Sequence, residues 1–157
     1  MGVAFSSCTV PAAGKPTFAL SDDEIEVGVG IHGEPGRRRA KFGSADAIAD
    51  ELLTAIVEDL KPAADSRLLV LVNGLGGTPL SELYLLYDSV RRWLDGRGLG
   101  IARSQVGALT TSLEMAGASI TLCTLDDEMI RHWDSPVHTA GMRWGGCEGL
   151  FCGKRDG

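Results

Sequence analysis

The sequence predicts an α/β protein, a single layered domain in which a β-sheet is flanked by helices. Three observations point there. Leu68-Leu69-Val70-Leu71-Val72 is an unbroken apolar run of strand length, as expected for a central strand covered on both faces. Just before it, Ile48, Leu52, Leu53, Ile56, Val57 and Leu60 recur at helical spacing, so one helix face is buried. Strand-like and helix-like stretches alternate along the chain, the pattern of a layered α/β fold.

In chain order, residues 1–24 read as a lead-in segment ending in acidic, polar residues, and Val27-Gly28-Val29-Gly30-Ile31 alternates like a strand. Ser44 is placed to cap the first helix, with Asp46 and Ala47 in its first turn, and Pro62 ends it. After the apolar strand comes a glycine-rich loop and a helix from about Leu80 to Leu94. Thr78 suits its cap and Pro79 its first position, while Gly96 and Gly98 close it. Ile101 to Val106 and Ala118 to Leu125 read as further strands. Asp126-Asp127-Glu128 opens a short helix, where negative charge suits the macrodipole. Trp133 to Trp144 is expected to be an irregular, aromatic-bearing finish.

Composition narrows the function classes. A chain of 157 residues with 44% hydrophobic and 23% charged residues fits one soluble domain with a real core. A formal charge of −6 argues against a general nucleic-acid or anionic-membrane surface. The one basic cluster, Arg37-Arg38-Arg39 with Lys41, reads as a solvated loop, with a phosphate or partner contact as the other reading. No stretch approaches the roughly 18–20 apolar residues that span a bilayer. Met1 to Val10 has no basic region followed by a long apolar stretch, so a cytoplasmic protein is expected, without membrane or nucleic-acid partners.

The cysteines do not form a disulfide framework. Cys123 lies in the apolar run Ser119-Ile120-Thr121-Leu122-Cys123, where a buried free thiol is normal. Cys147 and Cys152 are spaced like two zinc ligands, but no matching second pair is close in sequence, so no metal is assigned.

His32 is the residue around which a chemistry can be argued. It follows a short apolar stretch and sits in Gly30-Ile31-His32-Gly33-Glu34-Pro35-Gly36. Gly30 and Gly33 leave room for a ligand on either side of the ring and tolerate positive φ. Pro35 stiffens the loop, and Glu34 is close enough in sequence to tune the imidazole. A largely neutral imidazole at pH 7 can attack a carbonyl, move a proton or bind a metal.

Asn73-Gly74-Leu75-Gly76-Gly77-Thr78-Pro79 is the second candidate. A strand, a glycine-rich turn and a helix N-terminus can bind an anion through backbone amides. The loop lacks the Lys-Ser/Thr of a P-loop and the glycine spacing of a dinucleotide fingerprint. Gly74, Gly76, Gly77 and Thr78 are therefore either an anion-binding or a structural loop. Asp126, Asp127 and Glu128 are explained as a helix start rather than a magnesium site. His132 and His138 have no zinc spacing, and Ser112 and Ser119 have no nucleophile-elbow surroundings.

Five runs in order resemble the second domain of the substrate-binding, K-type subunit of the dihydroxyacetone (glycerone) kinases. They are Cys8-Thr9-Val10-Pro11-Ala12-Ala13-Gly14-Lys15-Pro16, then Val29 to Gly36, then Asn73 to Tyr84. Thr111-Ser112-Leu113-Glu114-Met115 with Ser119-Ile120-Thr121-Leu122, and Trp133-Asp134-Ser135-Pro136-Val137-His138-Thr139, complete the set. The resemblance assigns residues 1–144 to that domain, with a mixed sheet, and leaves 145–157 as a tail.

What the resemblance implies is specific. The family's loop histidine bonds covalently to the carbonyl carbon of dihydroxyacetone as a hemiaminal, and that role falls on His32. Glycerol, with no carbonyl, is thereby rejected. Phosphoryl transfer involves ATP, or ADP recharged by a phosphotransferase-system protein, with magnesium, on a separate L-type subunit or domain. Nothing in this chain resembles that nucleotide site, so no cofactor is expected on it. The domain's surface could pair with another chain, so a homodimer is one expected assembly.

The departures from the family are also informative. Its preceding domain supplies a glycine- and serine-rich substrate loop, a second histidine and an aspartate general base, and none has a counterpart here. The expectation is capture without complete catalysis. Two other readings stay open: a ligand-sensing regulatory relative, and an inactive truncated fragment.

Overall fold

A computed structural model describes residues 1–31, 34 and 36–145. The chain forms two compact units, Met1–Thr124 and Leu125–Gly157. The first carries a six-stranded mixed sheet and two long helices. Its strands are β1 (Gly2–Ala4), β2 (Glu24–Val27), β3 (Arg38–Lys41), β4 (Arg67–Gly74), β5 (Gly100–Gly107) and β6 (Gly117–Leu125), in the order β3-β2-β1-β6-β4-β5. β1 runs antiparallel to both β2 and β6, whereas β4 and β5 are parallel and are joined by a helix. The layered α/β expectation holds.

Helix α1 (Ala45–Leu60) starts where Ser44 Oγ accepts the Ala47 amide at 3.2 Å, and it stops at Lys61, which is left-handed at φ 48° ahead of Pro62. Helix α2 (Leu80–Asp95) begins where the pattern puts it, but with a different cap. Pro79 is its N-cap, without a side-chain cap, because Thr78 Oγ1 is engaged by Gly117 of β6. Ile48, Leu52 and Leu53 of α1 pack with Leu83, Leu86 and Val90 of α2 over Leu68, Val70 and Val72 of β4. A polar clamp joins the helices: Ser89 Oγ donates to Asp46 at 2.6 Å, Arg92 donates to the same carboxylate at 2.6 Å, and Trp93 Nε1 donates to Asp50 at 2.7 Å.

Several elements differ from the sequence reading. β2 is Glu24–Val27, earlier than the expected strand, because Gly28 turns the chain at φ 84°. The acidic residues belong inside this strand since its neighbour is cationic. Arg37 to Lys41 is not a solvated loop: Arg38–Lys41 is edge strand β3, with Glu26 opposite Arg39 and Glu24 opposite Lys41. Arg39 reaches Glu26 at 3.3 Å, Lys41 pairs with Asp23, and Arg38 pairs with Glu51 of α1. β1, hidden in the expected lead-in, is too short for a periodic signal, yet it is buried at the middle of the sheet. β4 is fully covered only on the helix face, where Leu68, Val70 and Val72 are buried. Leu69 and Leu71 on the other face are half-buried. Of the two described cysteines, Cys8 rather than Cys123 is buried.

The second unit carries α3 (Asp127–Trp133), β7 (Val137–His138) and β8 (Arg143–Trp144). Asp126 caps α3 by accepting the Met129 amide at 2.8 Å, with Asp127 and Glu128 in the first turn. The segment expected to be irregular contains a small antiparallel hairpin. Trp133 and Trp144 lie 5.2 Å apart between ring centroids, and Trp144 Nε1 donates to the Ser135 carbonyl at 3.0 Å. No described helix is long and apolar enough to cross a membrane.

Candidate substrate pocket

The loop from Gly28 to Arg37 is the connection of the β2–β3 hairpin, and its two feet are fixed by backbone bonds. Gly28 N–H donates to the Gly2 carbonyl at 2.7 Å, and Arg37 N–H donates to the Val27 carbonyl at 2.7 Å. Within the loop, Gly30 N–H reaches the Glu34 carbonyl at 3.3 Å, and Gly36 N–H donates to Glu26 Oε1 at 3.1 Å. Glu26 therefore holds the loop's far end while pairing with Arg39. His32, Gly33 and Pro35 lie outside the described residues, as do Cys147 and Cys152. Gly30 and Glu34 are described, and they are in contact. A Cβ on Gly30 would stand 2.1 Å from Glu34 Oε2, so the Glu34 side chain fills the space that Gly30 opens. At Gly36 a Cβ would come within 2.8 Å of the Val27 carbonyl, which makes glycine a steric requirement there.

Beside this loop is a cavity of about 280 Å³. Glu26, Glu34 and Arg39 bring charged groups to its lining, and Cys8, Phe18, Val29 and Met115 bring apolar ones. Beneath it lies a small second core of Ala4, Cys8, Val29, Leu75 and Met115, with Phe18 and Ile31 packed against it. A small polar ligand entering here would meet carboxylates, a guanidinium and apolar side chains.

The wall containing Cys8 belongs to a narrow loop. Thr9 bridges Pro16, Thr17 N–H donates to the Cys8 carbonyl at 3.1 Å, and Gly14 turns the tip at φ 63°. This loop is tied to the segment before β6. Thr9 N–H donates to Glu114 Oε1 at 2.6 Å, and Cys8 Sγ lies 3.8 Å from Ser112 Oγ. The Glu114 carboxyl is held below the usual glutamate range by its own backbone amide and by that of Thr9.

The Asn73–Pro79 loop stands behind this wall. Two of its amides are spent on protein: Leu75 N–H donates to the Gly117 carbonyl at 3.1 Å, and Gly77 N–H to the Met115 carbonyl at 2.8 Å. Its glycines admit backbone. A Cβ at Gly76 would lie 1.9 Å from the Leu113 carbonyl oxygen, and one at Gly77 would lie 2.5 Å from that of Glu114. Gly74 faces Leu83, where a Cβ would lie 2.8 Å from Cδ1. Of the two readings of Gly74, Gly76, Gly77 and Thr78, the contacts favour the structural one. Buried Asn73 extends the brace, accepting the Leu109 and Thr110 amides at 2.8 Å each and donating to the Thr110 carbonyl at 2.9 Å.

The fold thus brings Glu34 to the cavity, with Gly30 against its side chain, and places the second glycine loop behind Met115. Sequence reasoning did not single out Cys8, Phe18, Glu26, Arg39 and Met115 as pocket residues, because only the strand pairing brings them together. Of the remaining candidates, His132 stands 3.5 Å from Glu128, and His138 Nε2 lies 3.0 Å from Arg143. No metal-holding cluster of side chains occurs among the described residues.

The chain is a mixed-sheet α/β domain with a hairpin loop lining a small cavity. Residues 1–141 match the Dak1 domain, and the chain belongs to that family. It is 43% identical to the PEP-dependent dihydroxyacetone kinase, dihydroxyacetone-binding subunit DhaK of Escherichia coli, over 92% of this chain and 48% of that protein. The structure of the dihydroxyacetone kinase operon co-activator Dha-DhaQ superposes with a TM-score of 0.80 at 38% identity, covering 86% of this chain and 42% of that one. The dihydroxyacetone kinase of C. freundii in complex with AMP-PNP and Mg2+ superposes with a TM-score of 0.71 at 27% identity, over 85% of this chain and 24% of that one. The chain thus spans less than half the length of each.

Proposed function

We propose that this chain is the substrate-capturing part of a dihydroxyacetone kinase, with His32 as the residue that binds the ketone. The reading is supported chiefly by the cavity lined by Glu34 and Gly36, two and four residues after His32 in the chain, within a Dak1 domain. A neutral imidazole nitrogen adds to the carbonyl carbon, the C=O π bond opens, and the oxygen takes up the proton the ring gives up. The product is a neutral hemiaminal, reversible because no group leaves. Holding a three-carbon ketone by one covalent bond fixes its orientation for phosphoryl transfer to a hydroxyl. In this reading Gly33 adds no side chain next to the histidine, and Glu34, which lines the cavity, accepts from a substrate hydroxyl. The nucleotide, with magnesium, is carried by a separate L-type partner, and the protein works in the cytoplasm.

Native mass spectrometry tests the capture. With dihydroxyacetone the chain should gain the mass of one ligand, reversibly, whereas glycerol gives none and His32→Ala abolishes the gain. An unmodified wild-type mass at saturating ligand would contradict it.

The likeness to an operon co-activator favours a second reading, in which the adduct is a signal rather than a reaction step. Association with an L-type subunit separates the two: a kinase part binds it when dihydroxyacetone is present, and a sensor does not.

A further inference from the structure

Of the charged residues at the cavity, Glu26 is the most withdrawn from water. Its side chain is 15% exposed, whereas Glu34 and Arg39 are exposed. The alternation of β2 explains this. Ile25 and Val27 are buried in the core beneath the helices, so Glu26 between them projects from the opposite face of the sheet. There it stands between Ala4 of β1, which belongs to the small second core, and Arg39 of β3.

A carboxylate so far from water has to be satisfied by protein groups. Glu26 is satisfied at both oxygens. Oε1 accepts the Gly36 amide at 3.1 Å, and Oε2 meets Arg39 Nε at 3.3 Å. Arg39 also reaches Glu24 at 3.8 Å, so its guanidinium spans the two acidic residues of β2. Steric fit matches the hydrogen bond. A Cβ on Gly36 would stand 2.5 Å from Glu26 Cγ and 2.7 Å from Oε1, so the bare backbone of Gly36 lies directly against this side chain. The last glycine of the loop is the seat of a carboxylate from the sheet.

That seat matters because of what the loop carries. The bonds from Gly28 to Gly2 and from Arg37 to Val27 fix its two feet, and the bond from Gly30 to Glu34 closes the loop on itself. The Glu26–Gly36 bond ties the loop to the sheet two residues beyond Glu34 and four beyond His32. We propose that Glu26 is a positioning residue, which acts through Gly36 to hold the loop of His32 and Glu34 in the arrangement that captures a ketone. This inference rests on capture by His32. A nucleophile and a carbonyl carbon must meet in one orientation, and a displacement of about 1 Å can cost on the order of a hundredfold. Without the tie, fewer loops stand ready, while the chemistry of the imidazole is unchanged.

Glu26→Ala and Glu26→Gln in the 157-residue chain test this role. Three measurements are compared with wild type: the dihydroxyacetone concentration that half-saturates the adduct in native mass spectrometry, amide exchange at Gly36 by NMR, and the melting curve. Glu26→Ala should need at least about tenfold more ligand. Its Gly36 amide should exchange faster, with the Gly28 and Arg37 amides still protected and one cooperative melting transition kept. Glu26→Gln still offers Gly36 an acceptor oxygen, so it should recover the Gly36 protection and most of the affinity. An adduct as tight in Glu26→Ala as in wild type, a Glu26→Gln variant as weak as Glu26→Ala, or weakening that comes with loss of the melting transition would each overturn the positioning role. A wild-type chain that forms no adduct would overturn capture itself, and this role with it.

Discussion

The backbone amide of Thr9 donates to the carboxylate of Glu114 at 2.6 Å, joining two loops more than a hundred residues apart in sequence. One carries Cys8 and Thr17 at the cavity, and the other carries Met115. Glu114→Ala removes the tie, so amide exchange at Thr9 and its neighbours should rise and ligand capture should weaken several-fold. Glu114→Gln keeps an acceptor oxygen and should restore most of the protection. Because the folded carboxyl is held below its ordinary value of 4.5, the tie is fully present above that value and is lost as pH falls through the lowered one. Exchange of the Thr9 amide measured against pH checks the sign.

Asp46 and Asp88 define the acid limit of the α1–α2 clamp. Arg92, then Ser89, holds Asp46 below its ordinary 3.8, and Arg92, then Arg91, does the same for Asp88. Both folded values are depressed, so their contribution is complete above 3.8 and disappears as pH drops through the depressed values. Urea midpoints taken from about pH 7 to about pH 3 should fall more steeply for wild type than for Asp46→Asn. Parallel curves would show that the clamp is energetically idle.

Gly76→Ala places a Cβ 1.9 Å from the Leu113 carbonyl oxygen at a residue whose φ is 129°. The change should cost about 1–3 kcal/mol in chemical denaturation, because backbone rather than a mobile side chain must move. A neutral result would mean that this loop is free to shift.

Leu53 is fully buried where α1 meets the sheet. Leu53→Ala should cost about 2–5 kcal/mol by urea denaturation, the range set by how far α1 can settle into the void.

The parts legible in the sequence are those with a local signature. Ser44, Pro62 and Asp126 mark helix ends through short-range chemistry, α1 shows its period within a few residues, and β4 shows its unbroken apolar run. β1 was hidden because three residues carry no period, and β3 because its cations are neutralised by partners that only the fold supplies. The same limit applied at the cavity. The loop of Gly30 and Glu34 is evident as a motif, but its companions Cys8 and Met115 are brought there by β1 and β6, and Glu26 and Arg39 by cross-strand pairing. Thr78 was misread as a cap since nothing local announces its bonds to Gly117.

The central claim is a covalent bond between His32 and a ketone. Carbon-13 NMR of dihydroxyacetone labelled at C2 reads that bond directly. On adding the chain, the account predicts that the ketone resonance gives way to one typical of a tetrahedral carbon bearing oxygen and nitrogen, coupled to the imidazole of nitrogen-15-labelled protein and absent with His32→Ala. A ketone resonance that only broadens, or a tetrahedral signal that survives His32→Ala, would contradict it.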